Sequence, residues 1–488
     1  MCIDANERKK IMASTDSNVL VDASAGTGKT TIMVEKALQF ISRPEFRHYQ
    51  KVAMITFTRF ATQQIRDKIA EIDTLGSKKY QLEVSTNNGF VFAEIIRPFL
   101  REAYGKEYPS EEFKQDFSKD CKFPRWEIGM EQLQEKNILG SYMDSKKDFT
   151  FQLALNVLKK SRNARRYIKT KYPAMFLDEY QDFGQEMHDF FMYLKNELNI
   201  SLFIVGDIKQ AIYGFRGADP ELFNSLYQNG FTYYQLLHNF RSSSTIINYA
   251  SYFLGERISE EDINGGVSIK VHDDWKGYIC REAQTKFSDA TIAYLINSPL
   301  NYKDEIKRLQ EYSGFVYMED PPLGTEYPNF DVLYPLLSLY HDEDYNGFDL
   351  LNDLGLPNIK KTLSSIEEAK LNLENMQVEE ALNQYSNIVE RQLSEEEGEK
   401  FTKSLEVKWK VQFHKNKPLK QIMTIHKSKG LEFDFVYIDA NSFYHFGKLQ
   451  EQNHYVAITR AKKGLSINLN HRQYKESIKS ISPRNSVD

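Results

Sequence analysis

The sequence predicts an α/β fold in which parallel sheets are flanked by helices. Short apolar runs rich in β-branched residues recur along the chain, and each is closed by a polar or glycine-containing loop. Runs of this length bounded by turn residues are typical of buried parallel strands. Stretches with helical character, such as Thr31–Ile41 and Ala61–Ile72, lie between them. This alternation of strand and helix indicates helices layered on parallel sheets.

The runs that carry the strand prediction are Asn18–Asp22, Val52–Thr56, Met175–Asp178, Leu202–Asp207, Phe433–Ile438 and Leu465–Leu469. In open parallel sheets, ligands bind where the carboxyl ends of the strands meet. The polar residues that end these runs are therefore candidates for a functional site.

The composition is that of a globular protein with several domains. The chain has 488 residues, and domains of about 100–200 residues predict two to four of them. The formal net charge is −5, so any nucleic-acid contact must come from a local basic groove rather than from bulk charge. The cysteines are widely spaced, and no apolar run approaches the ~18–20 residues of a membrane span. We therefore expect a cytoplasmic protein with no membrane partner.

Ala23–Thr30 (ASAGTGKT) has the pattern of a phosphate-binding loop between a strand and a helix. It fits G-x-x-x-x-G-K-[ST] except that Ala23 stands at the first glycine position. Small residues allow backbone N–H groups and the helix N-terminus to approach an anion closely. Lys29 is expected to reach the β- and γ-phosphates, and Thr30 to hold Mg²⁺. The predicted nucleotide contacts in this loop are Ala23, Ser24, Ala25, Gly26, Thr27, Gly28, Lys29, Thr30 and Thr31.

A nucleotide site also needs groups that position the metal, the water and the developing charge. Met175–Asp182 (MFLDEYQD) places acidic residues at the end of an apolar strand. Asp178 is expected to bind Mg²⁺, and Glu179 to orient or deprotonate the attacking water. Arg241 and Arg460 are candidates for stabilising charge on the transferred phosphoryl group. Taken singly, each arginine is more often a surface or structural salt-bridge residue.

The remaining motifs follow in one order along the chain. They are Thr56–Thr58 with Ala61, Asp178–Asp182, Val205–Ala218, His238–Ser242, Thr424–Phe433 and Val456–Lys462. Together with the phosphate loop, this set resembles superfamily 1 helicases of the UvrD/Rep/PcrA type. The resemblance implies two RecA-like domains that face each other across ATP, with two smaller, mainly helical insertions.

The resemblance also implies roles for matching residues. Gln210 would sense the γ-phosphate and link it to a DNA groove, Phe240 would stack on the base of the nucleotide, and Glu432 would contact its sugar. Aromatic faces stack on bases without reading sequence, for about 1–3 kcal/mol each. The alternative for Tyr213 and Phe215 is core packing. The implied contacts to single-stranded DNA are Thr56, Phe57, Tyr213, Phe215, Arg216, Thr424 and His426.

The predicted domains are discontinuous in sequence. Their boundaries are 1–84 with 173–239 for the first RecA-like domain, 85–172 for the first insertion, 240–325 with 411–488 for the second RecA-like domain, and 326–410 for the second insertion. The Lys/Arg-rich stretch Lys159–Lys171 is either a DNA-facing helix or a solvated helical face. Ser394–Glu399 (SEEEGE) is interpreted as a charged break.

A narrower resemblance lies within the helicase family. Val84–Phe99, Ile138–Lys160 and Asn453–Ala461 are similar to the helicase-like subunits of Gabija anti-phage defence systems. That resemblance implies binding of single-stranded DNA or DNA ends and hydrolysis of ATP with Mg²⁺. The implied partner is a GajA-like nuclease of the OLD family, with an ATPase and a TOPRIM domain, in a large hetero-oligomeric complex.

The helicase motifs themselves and several departures from their usual pattern keep two alternatives open. Glu7 stands where the family usually has the glutamine that reads adenine, so the base preference is open. Arg59 and Phe60 replace the usual Asn-Lys pair in the first DNA motif. The alternatives are a standalone UvrD-like DNA-repair helicase, and a nucleotide-bound recruitment module whose catalysis is dispensable.

Overall fold

A computed structural model describes the chain from the first helix to the last. The described residues are 4–478, apart from 58, 72–77, 79, 110–112, 118–120, 256–266, 271–273, 286–288, 325–326, 328, 355, 357–359, 390, 392, 415 and 446. Thr58 of the first predicted DNA motif and the end of the predicted second domain, 479–488, lie outside these residues.

The first sheet has six strands and contains the predicted phosphate site. In chain order they are β1 (Asn18–Ala23), β2 (Val52–Thr56), β3 (Leu82–Thr86), β4 (Ala174–Leu177), β5 (Ser201–Gly206) and β6 (Thr232–Leu236). Their spatial order is β6-β1-β5-β4-β2-β3. All pairings are parallel, so the carboxyl ends of the strands meet at one edge.

The second sheet also has six strands, and its pairings are all parallel. They are β7 (Val267–Lys270), β8 (Ile292–Ile296), β9 (Val316–Tyr317), β10 (Lys420–Thr424), β11 (Phe433–Asp439) and β12 (Ala461–Asn468). Their spatial order is β7-β12-β11-β8-β10-β9. Two-residue strands pair Lys114–Gln115 with Ile138–Leu139, Lys122–Phe123 with Ser141–Tyr142, and Tyr444–His445 with Lys448–Leu449.

Helices cover the sheets and build the insertions. The α-helices are Ala5–Ala13, Lys29–Ile41, Arg59–Ala70, Asn87–Val91, Arg97–Tyr104, Trp126–Lys136, Phe149–Lys160, Arg162–Lys171, Gln185–Leu198, Pro220–Ser225, Ser244–Tyr252, Trp275–Thr285, Lys303–Ser313, Phe330–His341, Gly347–Leu354, Lys360–Glu374, Val378–Val389, Glu395–Ser404, Lys410–Phe413, Glu451–Ile458 and Arg472–Ile478. A π-helical turn spans Phe92–Ile96. None of the described helices is long and apolar enough to cross a membrane.

The predicted fold class is confirmed. Each apolar run assigned as a strand overlaps an observed parallel strand, and the two predicted helices correspond to Lys29–Ile41 and Arg59–Ala70. Continuous burial of β2 and β4 explains why their sequences read as unbroken apolar runs. The boundaries of the four predicted domains stay predictions.

The two regions predicted as insertions pack in different ways. Phe149 and Phe151 from the first region share one core with Leu20 and Ile55 of the first sheet. The helices between Leu323 and Phe413 bury a separate core of their own. The first region is therefore an extension of the first sheet's core, whereas the second is a helical unit with its own packing.

The basic stretch Lys159–Lys171 is divided between two helices by Ser161, whose hydroxyl accepts a hydrogen bond from Ala164 N at 2.9 Å. Part of its charge is used inside the protein. Lys171 Nζ lies 2.7 Å from Glu94 Oε2, and Lys160 Nζ lies 3.7 Å from the ring centroid of Tyr104. The choice between a DNA-facing helix and a solvated face stays open.

The charged segment Ser394–Glu399 begins a helix, so its interpretation as a break was wrong. Ser394 Oγ accepts from Glu397 N at 3.2 Å, and Glu397 Oε2 accepts from Ser394 N at 2.8 Å. This is a capping box before Glu395–Ser404. Carboxylates in a first helical turn also face the positive end of the helix dipole. The acidic run thus signals the start of a helix.

Glu397 joins this helix to the rest of the second helical unit. It is 1% exposed, and its carboxylate also accepts from Asn329 N and Asn329 Nδ2 at 2.8 and 3.0 Å. Glu397→Ala removes the buried carboxylate that accepts these hydrogen bonds, so we expect it to lower the free energy of unfolding by about 2–3 kcal/mol. Urea denaturation measures this, with the exposed Glu395→Ala as control, expected within about 0.5 kcal/mol of wild type. Equal effects of the two variants on the free energy of unfolding would contradict the proposed contribution of the Glu397 hydrogen bonds.

Candidate ATPase active site

The phosphate loop joins β1 to the helix Lys29–Ile41 at the carboxyl edge of the first sheet. Gly26 and Gly28 have φ of 68° and 76°, a left-handed conformation that glycine adopts at no steric cost. Ala23 is the last residue of β1 and is fully buried. The left-handed positions of the loop are therefore occupied by glycines, and Ala23 stands where the chain is still extended.

The segment after β6 holds the phosphate loop from the opposite side. Asn239 donates its side-chain amide to Ala25 O at 2.6 Å, and Phe240 N donates to Gly26 O at 2.9 Å. A Cβ added at Gly26 would lie 2.5 Å from Asn239 Nδ2. This close approach is a second reason why position 26 is a glycine.

Lys29 points towards the acidic residues that follow β4. Its Nζ is buried, has no hydrogen-bond partner among the residues that the structure describes, and lies 3.5 Å from Glu179 Oε1. A buried ammonium group is stabilised by hydrogen-bond acceptors, and phosphate oxygens would supply them here. The environment of Lys29 therefore fits an anionic ligand at the loop.

Asp178 and Glu179 differ in backbone conformation and in the direction of their pKa shifts. Asp178 is 5% exposed, whereas Glu179 has a left-handed φ of 52°. Burial raises the pKa of Asp178, and the Glu179 carboxylate adds to this. Burial would raise the pKa of Glu179 too, but Lys29 and Lys429 outweigh it and lower that pKa. Glu179 is thus kept ionised by the two ammonium groups.

Gln210 connects the two halves of the site. Its Nε2 donates to Asp207 Oδ2 at 2.5 Å, and its Oε1 accepts from an Arg460 guanidinium nitrogen at 3.2 Å. Arg460 is 1% exposed, and it also donates to Val456 O and Leu431 O at 3.0 and 3.1 Å. Burial and the neighbouring Arg241 lower the pKa of Arg460 to about 9, so it remains charged at neutral pH.

Lys429 is a residue whose role the sequence did not reveal. Its Nζ donates to Asp182 Oδ2 and to Gln210 O at 2.5 and 2.9 Å, and it lies 3.6 Å from Glu179 Oε2. The available signal was its place in the motif Thr424–Phe433, where no function was assigned to it. It brings a cation from the second sheet to the acidic end of the first.

Arg241 and Glu432, both predicted nucleotide-site residues, contact each other. Arg241 Nε donates to Glu432 Oε2 at 2.7 Å, and Lys462 Nζ lies 3.7 Å from Glu432 Oε1. Phe240 is 58% exposed, with its ring against the edge of His238 at a centroid distance of 4.6 Å. An exposed ring beside the phosphate loop is consistent with the predicted stacking on a base.

The predicted DNA residues include a cluster of four rings, which we call the aromatic cluster: Phe57, Tyr213, Phe215 and His426. Phe57 and Tyr213 stack with centroids 5.6 Å apart, and Tyr213 contacts Phe215 and His426 at 6.1 and 5.9 Å. The guanidinium carbon of Arg216 lies 5.5 Å from the rings of Tyr213 and Phe215. Phe215 is 57% exposed, so core packing does not explain it.

Two further predicted DNA contacts lie differently. Thr56 is fully buried at the end of β2, and its hydroxyl is 3.0 Å from that of Thr62. The predicted contact between Thr56 and DNA stays a prediction, and in this structure its hydroxyl contacts Thr62 inside the protein. Thr424 is partly exposed, and its hydroxyl accepts from Lys427 N at 3.2 Å.

Thr30 and Asp178, the predicted Mg²⁺ ligands, supply a hydroxyl and a carboxylate near Lys29, whose Nζ is buried. Mg²⁺ is commonly bound by one or two carboxylates together with substrate phosphates. Within the described residues, no group of three or more His, Cys, Asp and Glu could hold a metal by itself. The donor set therefore fits Mg²⁺ that arrives with a nucleotide.

Comparison with known proteins assigns the family. The UvrD/REP helicase N-terminal domain matches residues 4–139 and 128–230, and the UvrD-like helicase C-terminal domain matches residues 352–472. Gabija protein GajB of Bacillus cereus (strain VD045) is 35% identical over 480 residues, which cover 95% of each chain. The chain belongs to the GajB family of UvrD-like helicases. This confirms the predicted family, the two RecA-like domains and the class of superfamily 1 ATP-dependent DNA helicases.

Shorter matches connect this GajB-family chain to larger proteins. RecBCD enzyme subunit RecB of Buchnera aphidicola (subsp. Acyrthosiphon pisum, strain APS) is 39% identical over 111 residues, which cover 22% of this chain and 9% of RecB. Exonuclease/helicase subunit RexA of Lactococcus lactis (subsp. cremoris, strain MG1363) is 32% identical over 183 residues. That match covers 33% of this chain and 15% of RexA.

Lys429→Ala tests the cation between the two sheets. It leaves Asp182, 3% exposed, without its ion-pair partner. Breaking a buried ion pair costs about 3–5 kcal/mol, so we expect a loss of stability of that order together with lower ATP turnover. Lys427→Ala is the matched control, because its partner Asp320 is 85% exposed and such surface pairs contribute about 0–1 kcal/mol. If the two variants have the same free energy of unfolding and the same rate of ATP hydrolysis, the ion pair between Lys429 and Asp182 does not support the site.

Proposed function

We propose that the chain is the DNA-stimulated ATPase and helicase-like motor of a Gabija-type antiviral complex, acting in the cytoplasm. The observation that carries the proposal is the junction at Gln210. It contacts Asp207 beside the phosphate site and Arg460 before β12, and it lies shortly before Tyr213 of the aromatic cluster. One short segment thus connects nucleotide chemistry to the proposed DNA surface.

In this proposal the loop Ala23–Thr30 cradles the phosphates, and Lys29 contacts the β- and γ-phosphates. Thr30 and Asp178 would hold Mg²⁺, and the ion would neutralise phosphate charge. Glu179 is ionised and is suited to accept a proton from the attacking water. Arg241 and Arg460 stabilise the charge that develops on the transferred phosphoryl group. Gln210 senses the γ-phosphate and links it to the proposed DNA surface.

In this proposal, exposed aromatic side chains contact the nucleoside and the DNA. Phe240 stacks on the base, and Glu432 contacts the sugar. Phe215, Arg216 and His426 face single-stranded DNA or a DNA end, with Phe57 and Tyr213 behind them and Thr424 nearby. Stacking and charge without base-edge contacts give sequence-tolerant binding, as a motor requires.

The length of the match favours a defence role over that of a standalone repair helicase. The chain matches GajB over 95% of both proteins, whereas RecB and RexA are matched over 9% and 15% of their lengths. The proposed partner is accordingly a GajA-like OLD-family nuclease in a large hetero-oligomeric complex. The motor would support that nuclease by acting on single strands or ends.

Phosphate release with and without single-stranded DNA tests the proposed enzyme. Wild type should turn over ATP, and DNA should accelerate it. Lys29→Ala and Glu179→Gln should each lower kcat by at least about a hundredfold, because they remove the phosphate cation and the group that activates water. Absence of turnover by wild type under both conditions would refute the proposal.

The same Glu179→Gln variant separates motor from recruitment module. Co-purification with the partner nuclease should be unchanged, since Glu179 lies inside the site, while protection of cells from phage should be lost. Full protection by an assembled, inactive complex would favour the recruitment module instead.

Arg460→Ala tests whether the buried arginine acts in turnover. We expect kcat to fall by about three orders of magnitude, the effect of losing an arginine finger, with nucleotide affinity changed by less than about fivefold. Fluorescent-nucleotide binding and ATPase kinetics measure the two quantities. Arg472→Ala is the control, because that side chain is 92% exposed and pairs within its own helix. Equal losses of binding and turnover would argue against the finger role.

A further inference from the structure

A cation from the first helix lies at the proposed nucleoside site. Arg8 belongs to Ala5–Ala13, and one of its terminal nitrogens donates to Thr27 O of the phosphate loop. Its guanidinium carbon lies 5.3 Å from the ring centroid of Phe240. The same side chain would lie 3.1 Å from a Cβ added at Gly28. The guanidinium therefore lies between the phosphate loop and the exposed ring.

The helix that carries Arg8 is fixed to the segment that carries Phe240. Asp4 precedes the helix, and its Oδ2 accepts from Leu237 N and His238 N at 2.9 and 2.6 Å. Because both elements are joined at this point, the position of Arg8 relative to the ring is set by the fold.

Arg8 retains unused capacity to donate hydrogen bonds. Its Nε is buried and has no hydrogen-bond partner within the described structure. Glu7, the residue at the position of the family's adenine-reading glutamine, is paired instead: its Oε1 accepts from Lys10 Nζ at 2.6 Å on an exposed helix face. Of these two neighbours, only Arg8 combines contact with the loop, contact with the ring and a free donor.

We infer that Arg8 contacts the nucleobase of the bound nucleotide and so determines how tightly the nucleotide is held. A guanidinium is planar, packs against aromatic faces and donates to acceptor atoms at a base edge. A base stacked on Phe240 would lie against it. This inference rests on the proposed nucleotide site and adds to it Arg8, next to the position of the family's adenine-reading glutamine.

The test is the KM for ATP in the DNA-stimulated reaction. Arg8→Ala should raise KM about tenfold and leave kcat within about twofold, because a base contact is equal in ground and transition states. Arg8→Gln, which keeps a donor for Thr27 O, should likewise raise KM about tenfold and leave kcat within about twofold. Lys10→Ala is the control on the same helix and should behave as wild type, since Lys10 is 63% exposed.

Inhibition by inorganic tripolyphosphate distinguishes a base contact from a change in the loop. Tripolyphosphate has no base, so its inhibition constant should be the same for wild type and Arg8→Ala. A parallel rise in both constants, or an unchanged KM for ATP, would overturn the inference. Wild-type turnover by Lys29→Ala would instead show that the proposed nucleotide site itself is wrong, and this outcome is independent of Arg8.

Discussion

The arrangement of the two sheets depends on two hydrogen bonds of the Gln210 side-chain amide, one to a carboxylate and one to a guanidinium. An amide donates from one end and accepts at the other, so Asp207 and Arg460 fix its orientation. A buried guanidinium is tolerated only when its donors are paired, and those of Arg460 find carbonyls as well as Gln210. The backbone of the same residue accepts from Lys429. The two sheets therefore meet through a polar network as well as through an apolar core that Ile212 and Tyr213 share with residues of the second sheet. Polar networks favour one geometry because a partly satisfied network is costly.

The fold could be predicted from the sequence because burial on both faces leaves a clear signature. A strand such as β4, buried at every position, must read as an unbroken apolar run. The phosphate loop could also be recognised in the sequence, since its left-handed positions are occupied by glycines. These features are local, and local spacing suffices to find them.

The partners of individual polar side chains could not be predicted in this way. Lys427 and Lys429 stand two positions apart in one motif, yet one pairs with Asp320 at the surface and the other with buried Asp182. Thr56 ends a strand at the edge where ligands bind, yet its hydroxyl turns to Thr62. Arg8 was not predicted as a site residue, and its place beside Phe240 depends on the fold around Asp4. Contacts between residues distant in sequence decide each case.

The segment after β6 carries the chain from the first sheet to the second, and it is bonded to the phosphate loop on the way. Phe240 N and the Asn239 amide hold Gly26 and Ala25 at the point where the crossing begins. The phosphate loop therefore holds the start of the connection between the two sheets. A change in the conformation of this loop would act directly on the segment from which the second half of the molecule continues.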